Sequence, residues 1–206
     1  HGGDWIFLRV GVKIKTVFSL RTLKHPHMRK LLNEELPRLT HEQMLQQPKL
    51  PLVVVLDQVR SHLNVGSVFR TADAFLVEAI YLCGITGTPP HRDIHKTALG
   101  ATETVPWKYF ATTQEALQAL KEKGYTLIAI EQAERATMLH DFMPAYTDRY
   151  AIIFGNEVEG VSQQVVDDCD VVVEIPQYGT KHSLNIAVSA GVVIWDLMAK
   201  LTGRYK

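Results

Sequence analysis

The chain has 206 residues, 46% of them apolar and 21% charged. That is enough for one well-packed core, with the balance usual for a soluble globular domain. Net charge is zero but uneven: residues 1–38 carry eight Lys/Arg against three Asp/Glu, +5, which leaves −5 for the remainder.

No run of 18 apolar residues occurs, so no membrane-spanning helix is expected. The opening residues also lack the apolar run and small-residue cleavage site of a signal peptide. A cytoplasmic protein is the expectation. The basic N-terminus suggests a polyanion-facing segment, with Arg21, Lys24, Arg29 and Lys30 as candidate contacts; a solvated basic helix face accounts for the same charges.

Residues 26–36, "PHMRKLLNEEL", predict a helix with Pro26 near its start and Leu31, Leu32 and Leu36 as apolar anchors. Thr40 followed by Gln43 fits a capping box for a second short helix, ending at Gln47. Pro48 and Pro51 then break the chain. From here the rhythm changes. "LVVVLD" (52–57) predicts a buried strand, "NVGSVFRTADAF" (64–75) a helix and "EAIYLCGI" (78–85) a strand. "TTQEALQALKEKG" (112–124) predicts an amphipathic helix closed by Gly124. "YTLIAIE" (125–131), "YAIIFG" (150–155) and "VVVEI" (171–175) are further strands, and "SLNIAVSAGVVIWDLMAKL" (183–201) is the last helix. Apolar strands alternating with helices predict an α/β fold: an open, mostly parallel sheet with helices on both faces and ligands at the C-terminal ends of its strands. The expected division is an N-terminal extension, basic and partly helical, over 1–50, and the sheet domain over 51–206.

Cys83 and Cys169 lie in or beside apolar strand-like runs, which reads as two buried reduced thiols. No CxxC, GxGxxG after the first strand, or GxxxxGK[ST] is present, so a zinc ribbon, a Rossmann site and a P-loop are unsupported. His91 and His95 have the spacing of helical metal ligands but no third partner, and no metal is expected.

Three segments that follow strands have unusual composition. In "SHLNVGSVFR", Asn64 is a good N-cap, and Gly66 lies one helical turn before Arg70 and leaves room for a ligand against it. An ordinary capped helix with a surface arginine fits equally. In "FGNEVEGVS", Gly155 and Gly160 bracket Asn156, Glu157 and Glu159. Glycines at a strand end let backbone approach a ligand, and two carboxylates suggest an acid and a base. A tight turn, with Ser162 capping "QQVVDD", is the alternative. The third segment, "VVEIPQYGTKHSLNIAVSAG", joins a strand to a helix with a small-residue face through a loop too polar for burial without a partner.

In order, Asn64-x-Gly66-x-x-x-Arg70, Phe154-Gly155-Asn156-Glu157-x-Glu159-Gly160 and Ile175-Pro176-x-x-Gly179-x-x-x-Ser183-Leu184-Asn185 resemble the SpoU/TrmH family of RNA 2′-O-ribose methyltransferases, within the SPOUT superfamily. "RTADAF" and "ALGA" at 98–101 also look like the family, and the resemblance covers about residues 52–201. It implies a C-terminal trefoil knot and an S-adenosylmethionine pocket. The pocket residues it implies are Gly155, Asn156, Gly160, Ile175, Pro176, Gly179, Ser183 and Leu184. Arg70 is implied as the catalytic residue, with Asn64, Glu157, Ser183 and Asn185 shaping the site. A homodimer packed through the small-residue face of the last helix is also implied, with tRNA or rRNA as substrate. Base-nitrogen methylation on the same scaffold and a non-catalytic RNA-binding module are the competing functions.

Overall fold

The computed structural model describes residues 28–36, 39–181 and 183–203. Its elements in chain order are α1 (His41–Gln46), β1 (Leu50–Asp57), α2 (His62–Ala74), β2 (Val77–Cys83), α3 (Arg92–Ala98), α4 (Ala101–Thr104), β3 (Trp107–Phe110), α5 (Thr113–Lys121), β4 (Tyr125–Ile130), β5 (Thr137–Met138), β6 (Arg149–Phe154), α6 (Gln163–Asp168), β7 (Val171–Glu174) and α7 (Ile186–Leu201). The strands form one sheet in the order β3-β2-β1-β6-β4-β7-β5, and every pairing is parallel.

The continuous apolar run of β1 follows from its place. It lies between β2 and β6, covered on both faces, and Leu52 to Leu56 are at most 1% exposed. Successive side chains alternate between two cores. Leu52, Val54 and Leu56 pack with Val68 and Phe69 of α2 and with Ala190, Val193, Ile194 and Leu197 of α7. Val53 and Val55 face the opposite way, toward Ala116, Leu117 and Leu120 of α5 and Val165 of α6. Helices therefore cover both faces, as the alternating pattern predicts.

Gly66 sits inside this packing. It is buried in α2, and a Cβ there would overlap Thr97 and the Ile94 carbonyl of α3. The space it frees admits a neighbouring helix and not a ligand. Thr97 marks the same crossing by donating to the Leu63 carbonyl at 3.0 Å.

Several local expectations change. Over the described part of 26–36 there is no α-helix, only a single 3₁₀ turn at Asn33–Glu35. The Glu35 carboxylate accepts the Leu32 N–H at 2.7 Å and clasps Arg29 at 2.6 and 2.8 Å. Side-chain bonding thus replaces the backbone ladder there. The capping box at Thr40 and Gln43 is formed as expected, and contacts group residues from Leu39 onward, α1 included, into one unit. α3, α4, β3 and β5 are additions. Each is short, and β3 and β5 are edge strands whose half-exposed side chains give no strong period. Cys83 is buried and Cys169 half-buried, and burial pushes each thiol up to about 12. Among the described residues no helix is long and apolar enough to cross a membrane.

Candidate functional site

A cleft of about 520 Å³ opens at the C-terminal ends of β4, β6 and β7, where an open parallel sheet places its ligands. The loop after β6 forms one wall. Asn156 and Gly160 exchange backbone hydrogen bonds, N–H to carbonyl, at 3.0 and 2.9 Å. The Asn156 side chain ties the turn both inward and outward. Its Oδ1 accepts Val158 N–H at 2.8 Å, and its Nδ2 donates to the Gln58 carbonyl at 2.9 Å. Gly160 has φ +69°, a left-handed conformation that favours glycine. Gly155 is needed for a different reason: a Cβ there would overlap the carbonyl of Gly160. The sequence suggests that these glycines admit a ligand. In the structure Gly155 admits the Gly160 backbone and Gly160 admits the Glu131 carboxylate, while both line the cleft.

Glu131, just past β4, holds the outer edge of the same loop. Its Oε2 accepts Val161 N–H and its Oε1 accepts Gln132 N–H, both at 2.8 Å. A Cβ on Gly160 would overlap that carboxylate. Sequence reasoning misses Glu131. Its only signal is a lone acidic residue at the end of an apolar strand.

Glu157 turns away from acid–base work. Its Oε2 accepts Arg60 N–H and its Oε1 accepts Ser61 N–H, both at 3.0 Å, and Asn64 Nδ2 donates to Oε1 at 3.2 Å. Burial pushes this carboxyl upward, but the Arg60 and Ser61 amides, its own N–H and the Asn64 amide outweigh that and hold it below its ordinary value. A carboxylate so engaged is a clasp on the entrance to α2. The helix starts at His62 and is capped by Ser61, whose Oγ accepts Asn64 N–H at 3.3 Å. Asn64 is therefore not the N-cap, and its side chain is free for the site. Because the ionised carboxylate can only accept, Asn64 must present its NH₂ to Glu157. Its Oδ1 then accepts Asn185 Nδ2 at 3.2 Å.

Asn185 in turn caps α7, its Oδ1 accepting Ala187 N–H at 2.9 Å and Val188 N–H at 3.4 Å. The helix begins at Ile186 and not at Ser183. Glu157, Asn64 and Asn185 thus form one chain of hydrogen bonds that joins all three sequence segments.

The cleft brings together Gly155, Asn156, Glu157, Gly160, Ile175, Ser183, Leu184 and Asn185. Pro176 and Gly179 lie in the adjoining loop and not on the cleft wall. Gly179 is exposed, and a Cβ there would meet nothing within 4 Å. Arg70 is exposed on α2 and also lies off the wall. Among the described residues four glutamates line the cleft (131, 157, 159 and 174) and no lysine or arginine does, so its charge suits a cation. Of the candidate RNA contacts, Arg21 and Lys24 lie outside the described residues, Arg29 is paired with Glu35 and Lys30 is exposed. His91 caps α3 through Nδ1, which accepts Asp93 N–H at 3.2 Å, and its ring stacks on His62. No group of three metal-ligating side chains occurs among the described residues.

The family model of the SpoU rRNA Methylase family matches residues 51–195. The chain is 34% identical over 144 residues to the 23S rRNA (guanosine-2′-O-)-methyltransferase RlmB of Neisseria meningitidis, covering 70% of this chain and 56% of that protein. It thus spans little more than half the length of the curated relatives it matches. The A. aeolicus TrmH/SpoU tRNA modifying enzyme superposes with TM-score 0.71 at 23% identity, covering 80% of this chain and 82% of that one. An AdoMet-bound rRNA methyltransferase from Sinorhizobium meliloti superposes with TM-score 0.66 at 25% identity, covering 76% and 58%.

Proposed function

The chain belongs to the SpoU rRNA methylase family, and from that premise we propose that it transfers a methyl group from S-adenosylmethionine to a ribose 2′-OH of tRNA or rRNA. The observation that carries this reading is the Glu157–Asn64–Asn185 chain, which draws the three segments of the family resemblance into one site. The cleft fits the methyl donor on two grounds: its volume lies in the range of small-ligand sites, and its four carboxylates suit a sulfonium and an ammonium. Backbone at Gly155, Asn156, Gly160 and Ile175 and the Ser183–Leu184 stretch would hold the donor, with Pro176 and Gly179 in the loop that closes over it. When bound, S-adenosylmethionine supplies the activated methyl group.

The chain's own residues do the rest. Glu157 stays ionised and fixes the start of α2. Asn64 and Asn185 hold the starts of α2 and α7 in register at the cleft mouth. Arg70 meets the RNA, where its fork orients a phosphate and stabilises the alkoxide that forms as the 2′-OH attacks. A guanidinium holds its proton too firmly to serve as a simple base, so the 2′ proton leaves to a phosphate oxygen or to water.

The same reading includes the finer architecture. The segment from the loop after β6 through α7 is the knotted part of the fold. The catalytic domain runs from 51 to 206, and the 1–50 extension offers Arg21, Lys24, Arg29 and Lys30 to RNA in a cytoplasmic protein. α7 keeps Val188, Val192 and Trp195 at least 39% exposed on one side, and Leu184, just before the helix, is 41% exposed. That apolar stripe suits a homodimer through this helix.

The test is methyl transfer to undermodified RNA followed by nucleoside analysis. An alkali-resistant dinucleotide supports ribose methylation, while a methylated base in an alkali-labile linkage supports the base-nitrogen alternative. Absence of S-adenosylmethionine binding by calorimetry leaves the RNA-binding module. Arg70→Ala and Arg70→Lys are expected to lose turnover at unchanged donor affinity. Near-normal turnover in either removes Arg70 from the centre.

A further inference from the structure

A second hollow, of about 540 Å³, lies between the Pro89–Pro90 loop, α3, α4 and the start of β3. Its chemistry is the reverse of the cleft's. Trp107 and Ile94 give it an aromatic and apolar floor, and Arg92, His91 and His95 stand at its rim, all three exposed. Glu103 adds one acceptor. Within the described structure neither the Trp107 indole N–H nor the Arg92 guanidinium has a hydrogen-bond or ion-pair partner, so the hollow offers donors with nothing to receive them.

It also lies next to the site. The rings of His91 and His62 stack at 3.7 Å with 9° between their planes. His62 is the first residue of α2, directly after Ser61, whose N–H is held by Glu157. Two stacked imidazoles therefore separate the hollow from the start of the catalytic helix.

We infer that this hollow receives a nucleotide of the RNA substrate next to the one that is methylated, with its base against Trp107 and its phosphate on Arg92. The inference rests on the proposed reading of the protein as an RNA methyltransferase. A cleft lined, among the described residues, by four glutamates and no lysine or arginine repels a phosphodiester, so the RNA backbone is held outside it. An aromatic face beside a guanidinium is the arrangement that holds unpaired nucleotides, the ring by stacking and the phosphate by a fork of donors. Glu103 is available to accept from an exocyclic amine, as cytosine or guanine presents.

The experiment uses the full chain, RNA from cells lacking the modification, and the variants Trp107→Ala, Trp107→Phe and Arg92→Gln. RNA affinity, S-adenosylmethionine affinity and thermal midpoint are measured for each, and ultraviolet crosslinking locates the nucleotide on the protein. Trp107→Ala should weaken RNA binding about tenfold, within the range for losing one stacked base, with donor affinity unchanged. Because the half-buried indole also packs against the core, its thermal midpoint should fall, and binding is compared at a temperature where the variant is folded. Trp107→Phe should restore most of the binding. Arg92→Gln should weaken RNA binding and flatten its salt dependence by about one phosphate contact. A crosslink should fall on the peptide that contains Trp107. Unchanged RNA affinity in both Trp107→Ala and Arg92→Gln, while wild type still methylates RNA, overturns the hollow and leaves the parent reading standing. A wild-type chain that neither binds nor methylates RNA removes both.

Discussion

Two polar loops flank the cleft, and they are built in opposite ways. The 155–161 loop is held from every side. Asn156 and Gly160 bond across it, Asn156 reaches Gln58, Glu131 holds Val161, and Gly155 lies too close to Gly160 for any side chain. The 176–181 loop has no such ties among the described residues. Tyr178 is 93% exposed, and nothing lies within 4 Å of where a Cβ on Gly179 would point. A ligand-binding wall benefits from being formed in advance, because ordering it then costs nothing at the moment of binding. A loop that must admit and release a ligand cannot share that rigidity. Both loops are polar and contain glycine, so polarity and the presence of glycine alone do not distinguish a wall from a cover.

The contrast is tested first at Gly155. Gly155→Val must displace the Gly160 carbonyl, and overpacking of about 1–3 kcal/mol concentrated in this wall should weaken S-adenosylhomocysteine binding up to about 100-fold by calorimetry. Wild-type affinity would show that the loop is not the wall.

Glu131→Ala comes next. It leaves the Val161 N–H unpaired, and at about 1–2 kcal/mol for such a loss donor affinity should fall about tenfold. The effect should lie in KM for the donor with kcat nearly unchanged. A fall in kcat alone would place Glu131 in the chemistry and not in the wall.

Glu157 gives a pH signature. Its folded pKa is below the ordinary 4.5, so the order it contributes is complete above that value and is lost as pH falls through the lowered folded value. The difference in thermal midpoint between wild type and Glu157→Gln should therefore be constant from pH 8 to about 5.5 and shrink below it. A difference that grows on acidification would mean that Glu157 is protonated in the folded protein.

The smallest effect belongs to the open loop. Gly179→Ala should change stability by no more than about 0.5 kcal/mol, the usual range for an exposed site, and donor affinity by less than twofold. A large loss of affinity with stability unchanged would show that the loop closes on the ligand through this residue.

The sheet was largely legible. β1, β4 and β6 are long apolar runs because they are buried on both faces, and burial is what a run of Val, Ile and Leu reports. Helix starts were less legible, since several residues nearby could cap each one. Ser61 takes the cap of α2 because Asn64 is drawn off by Glu157, a partner 93 positions away. Asn185 takes the cap of α7 in preference to Ser183 for a similar reason: it also meets Asn64. Gly66 was legible as a close approach but not as to what approaches, because a pattern along one helix says nothing of a second helix across it. Glu131 left no pattern at all. The candidate site was read from motif order, and the Glu157–Asn64–Asn185 chain joins those motifs in space.

That chain has a consequence for how the protein reaches its final form. Its two links join residues 93 and 121 positions apart, and β1 cannot complete its pairing with β6 until the chain has been made through Phe154. Contacts of such long range form slowly, because a large loop must close before they return any stabilisation. The site is therefore assembled among the last events of folding. Methyl-donor binding, followed during refolding, should rise later than the far-ultraviolet circular dichroism of the helices and sheet, and a nascent chain still lacking α7 should be unable to bind the donor.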